Sequence, residues 1–217
     1  MALTLAVASA LARQCAPDVA PTTMVALVVN ESALDPLVIG DNTSHRTYRS
    51  ATQRDAEGLA RSLIAQGHSI DMGLAQINNR TAHTIGLPIG DAFDACASMA
   101  AAGRLMVATY RRVAPAAPTI QHALAATLST YNTGNSVRGI ENGYVARVYR
   151  AASRTAAVPA SPSVSITYAV SRKITPSGGD TAVAGEMPEN TTRQDPSLVF
   201  GVSASNADVF AAPPKGR

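Results

Sequence analysis

The sequence of 217 residues contains no tryptophan, and aromatic residues make up only 4% of it. Hydrophobic residues still account for 46%, so the core has to consist of Ala, Leu, Val, Ile and Met. Alanine-rich amphipathic segments pack closely as helices and offer little to a pleated sheet. The shortage of aromatic residues therefore argues against a β-sandwich and favours a helical fold.

Long apolar runs are also missing, and no segment approaches the roughly 20 apolar residues that cross a bilayer. The apolar N-terminal stretch Ala2–Ala12 lacks the basic start of a secretory signal. It is either the first helix of the domain, with Leu3, Val7 and Leu11 on one face, or a short signal with Ala8-Ser9-Ala10 as its cleavage site. We favour the helix. We expect no membrane span, and a signal that is atypical or absent from this chain.

Charge of one sign is not concentrated anywhere in the chain. The net charge is +3, and up to Arg154 there are 13 arginines, no lysine and 10 acidic residues. The longest basic run is the pair Arg111-Arg112, and no aromatic residues alternate with arginines. We therefore expect no nucleic-acid partner. A mildly basic surface would suit an anionic wall polymer equally well.

Cysteine is rare, since only Cys15 and Cys96 occur. These two could form one bridge that closes a long loop, which would indicate an oxidising compartment, or they could remain free and buried. The histidines share no metal-ligand spacing and are expected at the surface: His45, His68, His83 and His122. We expect no metal and no other cofactor.

Proline and glycine divide the first 154 residues into helices joined by short loops. The predicted helices are Pro21 to Asn30, Asp55 to Gln66, Asp94 to Arg112, Thr119 to Tyr131 and Glu141 to Arg154. The stretch from Asn42 to Gln53 is polar. The sequence thus predicts an all-α domain, α+β at most, over residues 1–154.

Beyond Arg154 the composition changes, because 7 of the 13 prolines fall in the last 63 residues. Residues 155–217 are therefore predicted to be a flexible tail rich in Pro, Ser and Ala. Within it, Ser163–Val170 alternates with period two. This segment is either an incidental pattern in a linker or a strand that adds to the sheet edge of a partner.

One acidic residue, Glu31, stands at the end of the apolar stretch Met24–Asn30, where a helix is predicted to run into a turn. A carboxyl group there is half buried, so its proton is held to higher pH, as a general acid near neutrality requires. Two short motifs follow, Gly73-Leu74-Ala75-Gln76-Ile77-Asn78 and Tyr131-Asn132-Thr133-Gly134-Asn135. Together the three features predict a site that cleaves sugars.

These stretches and their order resemble the soluble lytic transglycosylase family, in particular its VirB1-like members from type IV secretion and conjugation systems. The resemblance covers about residues 11 to 150. It rests on Arg13-Gln14-Cys15-Ala16-Pro17, Val29-Asn30-Glu31-Ser32, Asp71 to Asn78, Asp94-Ala95-Cys96, Leu128 to Asn135 and Asn142-Gly143-Tyr144-Val145. The chain departs from the family at Ala75, where relatives often have Met, and at Thr130, where VirB1-like proteins often have Cys.

The resemblance implies a lysozyme-like helical fold with a peptidoglycan groove and Glu31 as the sole catalytic carboxyl. Glu31 would protonate the oxygen that joins N-acetylmuramic acid to N-acetylglucosamine. It would then take the proton from the muramic C6 hydroxyl, which closes a 1,6-anhydro ring without water. This fits the lack of an obvious second carboxylate, since ordinary retaining and inverting glycosidases use two.

The resemblance also implies four roles near the acid and the first motif. Ser32 would hydrogen-bond near the N-acetyl group or the acid, or else serve as a turn serine. Gln76 and Asn78 would offer amides to the sugar, although Gln76 could brace its loop instead. Gly73 would let the backbone approach closely.

In the second motif, Tyr131 would place its hydroxyl near Glu31 and its ring against a sugar, unless it is simply buried, and Asn132 would hold the surrounding loop. Two further acidic residues are interpreted differently. Asp71 is expected to form a turn before the glycine, although it could be a second carboxylate, and Asp35 is expected to cap or turn.

The favoured function is therefore a periplasmic lytic transglycosylase that opens the cell wall for a type IV secretion or conjugation apparatus. Its partners would be glycan strands and, through the tail, secretion components. One alternative is a hydrolytic muramidase on the same fold. The other is a non-catalytic wall-binding or assembly module.

Overall fold

A computed structural model describes residues 1–156 of the chain. Over these residues it contains eight α-helices and one four-stranded antiparallel sheet. The predicted helical domain is confirmed. The prediction allowed α+β at most, and the small sheet is that β component. Apart from its first two residues, the predicted tail lies outside the described residues, and so does the alternating segment Ser163–Val170.

The N-terminal stretch forms helix α1, Leu5–Cys15, which is capped by the Thr4 side chain. Its buried residues are Ala8, Leu11 and Ala12, and small side chains let the helix lie close to its neighbours. Leu3 and Val7, which were predicted to share one face with Leu11, are partly buried against the core.

Helix α2, Pro21–Ser32, begins at the predicted proline and is buried through most of its length. Ala33 and Leu34 end it with left-handed φ angles of 53° and 67°. The helix therefore runs two residues further than predicted, and Glu31 lies in its last turn.

Four helices lie in the second half of the described residues: α5, Ala95–Val113; α6, Ile120–Thr133; α7, Arg138–Glu141; and α8, Tyr144–Ala156. Helix α8 packs on α2, and α5 packs on α6 and α1. A disulfide joins Cys15 on α1 to Cys96 on α5, with 5.4 Å between the Cα atoms. Of the two alternatives for these cysteines, the structure has the bridge.

The sheet lies between α2 and α5 in the chain and has the strand order β2-β1-β3-β4. Its strands are β1, Val38–Asp41; β2, Arg46–Arg49; β3, Ile70–Met72; and β4, Ile77–Asn78. Helix α3, Gln53–Ala65, connects β2 to β3, and helix α4, Asn79–Thr84, follows β4. The polar stretch from Asn42 to Gln53, for which the sequence predicted no helix or strand, contains the turn and second strand of a hairpin.

A buried carboxylate at Asp41 holds the turn of this hairpin. It accepts hydrogen bonds from the backbone N–H groups of Thr43 and Ser44 and from the Ser44 hydroxyl, and it lies 2.7 Å from Nδ1 of His68. Burial alone would raise the pKa of Asp41, but these hydrogen bonds outweigh burial and hold the pKa well below its usual range. The prediction that His68 is a surface residue is wrong, because its ring is half-buried in this cluster.

Candidate active site

A groove of about 740 Å³ runs between the helices and the sheet. We call the residues from α2, α5 and α6 its helical side: Glu31, Leu105, Ala108, Thr109, Arg112, Thr130, Tyr131, Asn132 and the adjoining Gly134. The residues from the sheet and α4 form its sheet side: Asn42, Ser69, Asp71, Gln76, Ile77, Asn78 and Thr81. The groove thus brings together five of the predicted site residues, Glu31, Gln76, Asn78, Tyr131 and Asn132, but neither Ser32 nor Gly73.

Glu31 is half-buried at the groove, and its pKa is raised to about 7. Burial is the largest cause, because a carboxylate loses its hydration there, and the negative charge of Asp71 adds to it. A hydrogen bond from Tyr144 and the positive charge of Arg147 act in the opposite direction. With this pKa the carboxyl can release a proton and accept one near neutral pH.

The hydroxyl of Tyr144 donates a hydrogen bond to Oε1 of Glu31. Tyr144 is only 2% exposed, and it begins α8 after Gly143, whose φ is 75°. Tyr144 entered the sequence analysis only as part of the motif Asn142-Gly143-Tyr144-Val145, and this role was missed. The available signal was that a buried tyrosine hydroxyl needs a partner, but 113 residues separate the two side chains.

Tyr131 lines the groove, but its hydroxyl donates to the carbonyl oxygen of Ala75 at 2.7 Å. The hydroxyl expected beside Glu31 is therefore engaged elsewhere, and Tyr144 takes that place. Burial raises the pKa of Tyr131 well above its ordinary value, and the nearby charge of Glu31 adds to this effect. Asn132 accepts a hydrogen bond from the Asn142 amide at 3.2 Å, a contact that links α6 to the loop before α8.

Asp71 lies within β3, so the expectation that it forms a turn is wrong. Its two carboxylate oxygens accept hydrogen bonds from the side-chain amides of Asn42 and Asn78, at 2.9 and 2.8 Å. Asn78 also donates to the Ser69 hydroxyl and caps α4. The polar side chains on the sheet side therefore hold one another in place.

Gln76 has a positive φ of 49° and lies at the groove. Its side-chain amide donates to the carbonyl oxygens of Val38 at 3.2 Å and Gly73 at 2.8 Å. These contacts brace the loop between β3 and β4, which was the alternative interpretation for this residue.

Gly73 allows a close approach, but to the protein backbone. Its φ is 71°, and an added Cβ would lie 1.8 Å from the carbonyl oxygen of Ala92. The glycine thus lets the β3–β4 loop pack against the short 3-10 turn Asp91–Phe93, whereas the expected approach was to a sugar.

Ser32 is 4% exposed and donates its hydroxyl hydrogen to the carbonyl oxygen of Val28 within α2. The structure therefore does not bring Ser32 to the groove. Asp35 accepts a hydrogen bond from the backbone N–H of Leu37, as its predicted turn role requires. It also forms an ion pair with Arg49 at 2.6 Å.

Residues 1–156 contain neither a metal-binding cluster nor a membrane-spanning helix. No group of three or more His, Cys, Asp or Glu side chains in this part of the chain is arranged to hold a metal ion. None of its helices is both long enough and apolar enough to cross a membrane.

The described residues thus form a helical domain that holds a glutamate of raised pKa in a groove beside a small sheet. The family described as Transglycosylase SLT domain matches residues 9–148, and the chain belongs to this family.

Among curated proteins the chain is similar to "Protein virB1" of Rhizobium radiobacter, with 41% identity over 144 residues, which are 65% of this chain and 59% of the relative. It is also 34% identical over 151 residues to "Type IV secretion system protein virB1" of Brucella abortus, across 67% of this chain and 63% of that protein. The chain thus spans about three fifths of the length of these relatives. No solved structure matches it.

Proposed function

We propose that the protein is a peptidoglycan lytic transglycosylase in which Glu31 acts first as the acid and then as the base. The observation that carries the proposal is the position of Glu31 at the groove with a pKa of about 7. Such a group is partly protonated and partly ionised at neutral pH, so it can serve both steps. Membership of the Transglycosylase SLT domain family supports this reaction class.

In the first step Glu31 donates its proton to the oxygen between N-acetylmuramic acid and N-acetylglucosamine, and the bond from that oxygen to C1 breaks. The N-acetyl group of the muramic sugar stabilises the positive charge at C1. In the second step the C6 hydroxyl of the same sugar attacks C1, and its proton goes to Glu31. A 1,6-anhydro ring forms, and the acid is regenerated without water.

Tyr144 positions the acid in this mechanism. Its hydroxyl donates to Oε1 of Glu31, so the proton that Glu31 delivers resides on Oε2. The same hydrogen bond fixes the plane of the carboxyl group and stabilises its ionised form after proton transfer.

The glycan strand would lie between the two sides of the groove. On the sheet side, Asn78 and Gln76 present side-chain oxygens at the groove, while their amide hydrogens are held by partners within the protein. On the helical side, the ring of Tyr131 offers an apolar face to a sugar, and Asn132 holds the loop beside it. These contacts supply binding energy away from the bond that breaks.

Asp71 favours a second candidate, a hydrolytic muramidase. It is a carboxylate at the groove whose charge affects Glu31. Hydrolysis of a glycosidic bond ordinarily uses two carboxyl groups. However, both oxygens of Asp71 already accept amide hydrogen bonds, so fewer of their lone pairs are free to orient an attacking water.

The names of the relatives suggest the biological setting. We propose that the protein acts in the periplasm and opens the wall locally for a type IV secretion or conjugation apparatus, with residues 157–217 as the segment that recruits its components. The Cys15–Cys96 disulfide supports an oxidising compartment.

Mass spectrometry of muropeptides released from purified peptidoglycan tests the proposal. We expect anhydro-muropeptides from the wild type, and kcat/KM about 10²- to 10⁴-fold lower for Glu31→Gln, because the acid is lost while the shape is kept. Glu141→Gln is the matched control, since this exposed glutamate lies on α7 outside the groove residues. Products with a reducing muramic end would establish the muramidase instead. No products from the wild type would favour a module that only binds the wall.

A further inference from the structure

One stretch of the groove is formed by a single face of α5. Leu105, Ala108, Thr109 and Arg112 line it at spacings of three and four residues, which places them on one side of the helix. With a rise of about 1.5 Å per residue, the backbone of Arg112 lies about 10 Å along the helix from that of Leu105. Arg112 therefore gives the end of this face a positive charge.

Helices α5 and α6 carry no acidic side chain that could pair with Arg112. The sequence has no acidic residue between Asp94 and Glu141, a segment that includes all of α5 and α6 and contains four arginines. Other arginines have partners, such as Arg49 with Asp35 and Arg61 with Glu57. Within residues 1–156, no hydrogen bond or ion pair occupies the guanidinium of Arg112.

An unoccupied guanidinium at a substrate groove is suited to a carboxylate, with which it forms two parallel hydrogen bonds. The sugars of an intact peptidoglycan strand are uncharged, and the negative groups of the strand are the carboxylates of the stem peptides on its muramic residues. A sugar hydroxyl would satisfy only one donor and would not use the charge.

We propose that Arg112 binds a carboxylate of a stem peptide, so that the protein prefers glycan strands that carry peptides with free carboxylates. This inference rests on the proposed function, because it names a part of the substrate at the same groove. It assigns the α5 face to the peptide, while Glu31 acts on the sugar.

The test compares two substrates, one with charged carboxylates on its stem peptides and one in which these groups are neutral amides. Peptide-bearing glycan strands are acetylated at their free amines, and half of the sample is then coupled with methylamine through a carbodiimide, which converts the carboxylates to neutral amides. Cleavage by the full chain is followed by measuring the amount of product that is released. We expect kcat/KM of the wild type to be about three- to tenfold higher on the carboxylate strands than on the amide strands. This ratio between the two substrates should decline with added salt, because salt screens the attraction between Arg112 and the carboxylate.

Two variants of neighbouring residues decide the assignment. Arg112→Gln should reduce the ratio between the two substrates to about one. Arg111→Gln, which removes the same charge from an exposed residue of α5 outside the groove residues, should keep the wild-type ratio. Arg112→Lys keeps the charge but loses the paired donors, so it should retain an intermediate ratio.

Three results would overturn the inference. Equal cleavage of both substrates by the wild type would do so while leaving the proposed function intact. An Arg112→Gln variant that loses activity on both substrates by the same factor would show that the guanidinium binds the sugar or supports the fold. Failure of the wild type to cleave either substrate would overturn the proposed function and, with it, this inference.

Discussion

The two sides of the groove hold their polar groups in different ways. On the helical side, Glu31 has one hydrogen-bonding side chain, Tyr144, and burial governs its protonation. On the sheet side, Asn42, Asp71 and Asn78 hydrogen-bond to one another. The first arrangement leaves a carboxyl able to change its charge, whereas the second fixes side chains in one position.

This difference suggests a division of labour within the groove. A group that transfers protons needs an environment that disfavours its charge only moderately, and the helices supply this through apolar packing. A surface that binds a sugar needs donors and acceptors that keep their directions, and the hydrogen-bonded amides supply this. Variants that damage only one side should therefore affect either the protonation of Glu31 or the shape of the groove.

The largest expected effect comes from breaking the sheet side at Gly73. An alanine there would place Cβ 1.8 Å from the carbonyl oxygen of Ala92, at a φ of 71°. Neither the backbone of Gly73 nor that of Ala92 can move away without disturbing the β3–β4 loop. We therefore expect Gly73→Ala to lower the free energy of unfolding by about 4 kcal/mol or more. Chemical denaturation measures this.

Gly86→Ala is the matched control for this variant. Gly86 has a similar φ of 67°, but an added Cβ would meet nothing within 4 Å. It should therefore show only the cost of the left-handed conformation, about 1–2 kcal/mol. If Gly73→Ala and Gly86→Ala were equally stable, close packing of Gly73 against Ala92 would not be required to hold the β3–β4 loop.

A pair of tyrosine variants tests the helical side. Tyr144→Phe removes the hydrogen bond that lowers the pKa of Glu31, so that pKa should rise. The alkaline limb of the kcat/KM profile should then move to higher pH, and kcat should fall about tenfold because the carboxyl is less well positioned.

Tyr131→Phe provides the comparison, because its hydroxyl donates to the Ala75 carbonyl. Its loss should cost about 1–2 kcal/mol of stability and should not displace the alkaline limb. A displacement by Tyr131→Phe as large as that by Tyr144→Phe would mean that hydrogen bonding by Tyr144 does not control the acid.

The sequence predicted the helical side well because its signals are local. Pro21 begins α2 as expected, and the amphipathic pattern of α5 predicted Asp94 to Arg112 for a helix observed at Ala95–Val113. The position of Glu31 next to an apolar run was also sufficient to predict a raised pKa. Such features depend on neighbours within a few turns of one helix.

The sheet side was missed because its strands contain only two to four residues, too few for an alternating pattern to stand out. Its stability depends on contacts between distant residues, such as Asn42 with Asp71 and Asp41 with His68. The role of Tyr144 was missed for the same reason. No local pattern distinguishes a tyrosine that fills the core from one that reaches a glutamate 113 residues away.

The smallest expected effect concerns Asp71, which couples the two sides of the groove. Asp71 belongs to the sheet side, and its charge raises the pKa of Glu31 on the helical side. Asp71→Asn removes a like charge, so the pKa of Glu31 should fall and the alkaline limb should move to lower pH. The rate at pH 7 should then fall about two- to threefold. Asn42→Ala removes one hydrogen bond from Asp71 but keeps its charge, so it should leave the limb in place. A loss of several orders of magnitude in Asp71→Asn would instead identify Asp71 as the second carboxylate of a hydrolase, and the two sides would then share the chemistry.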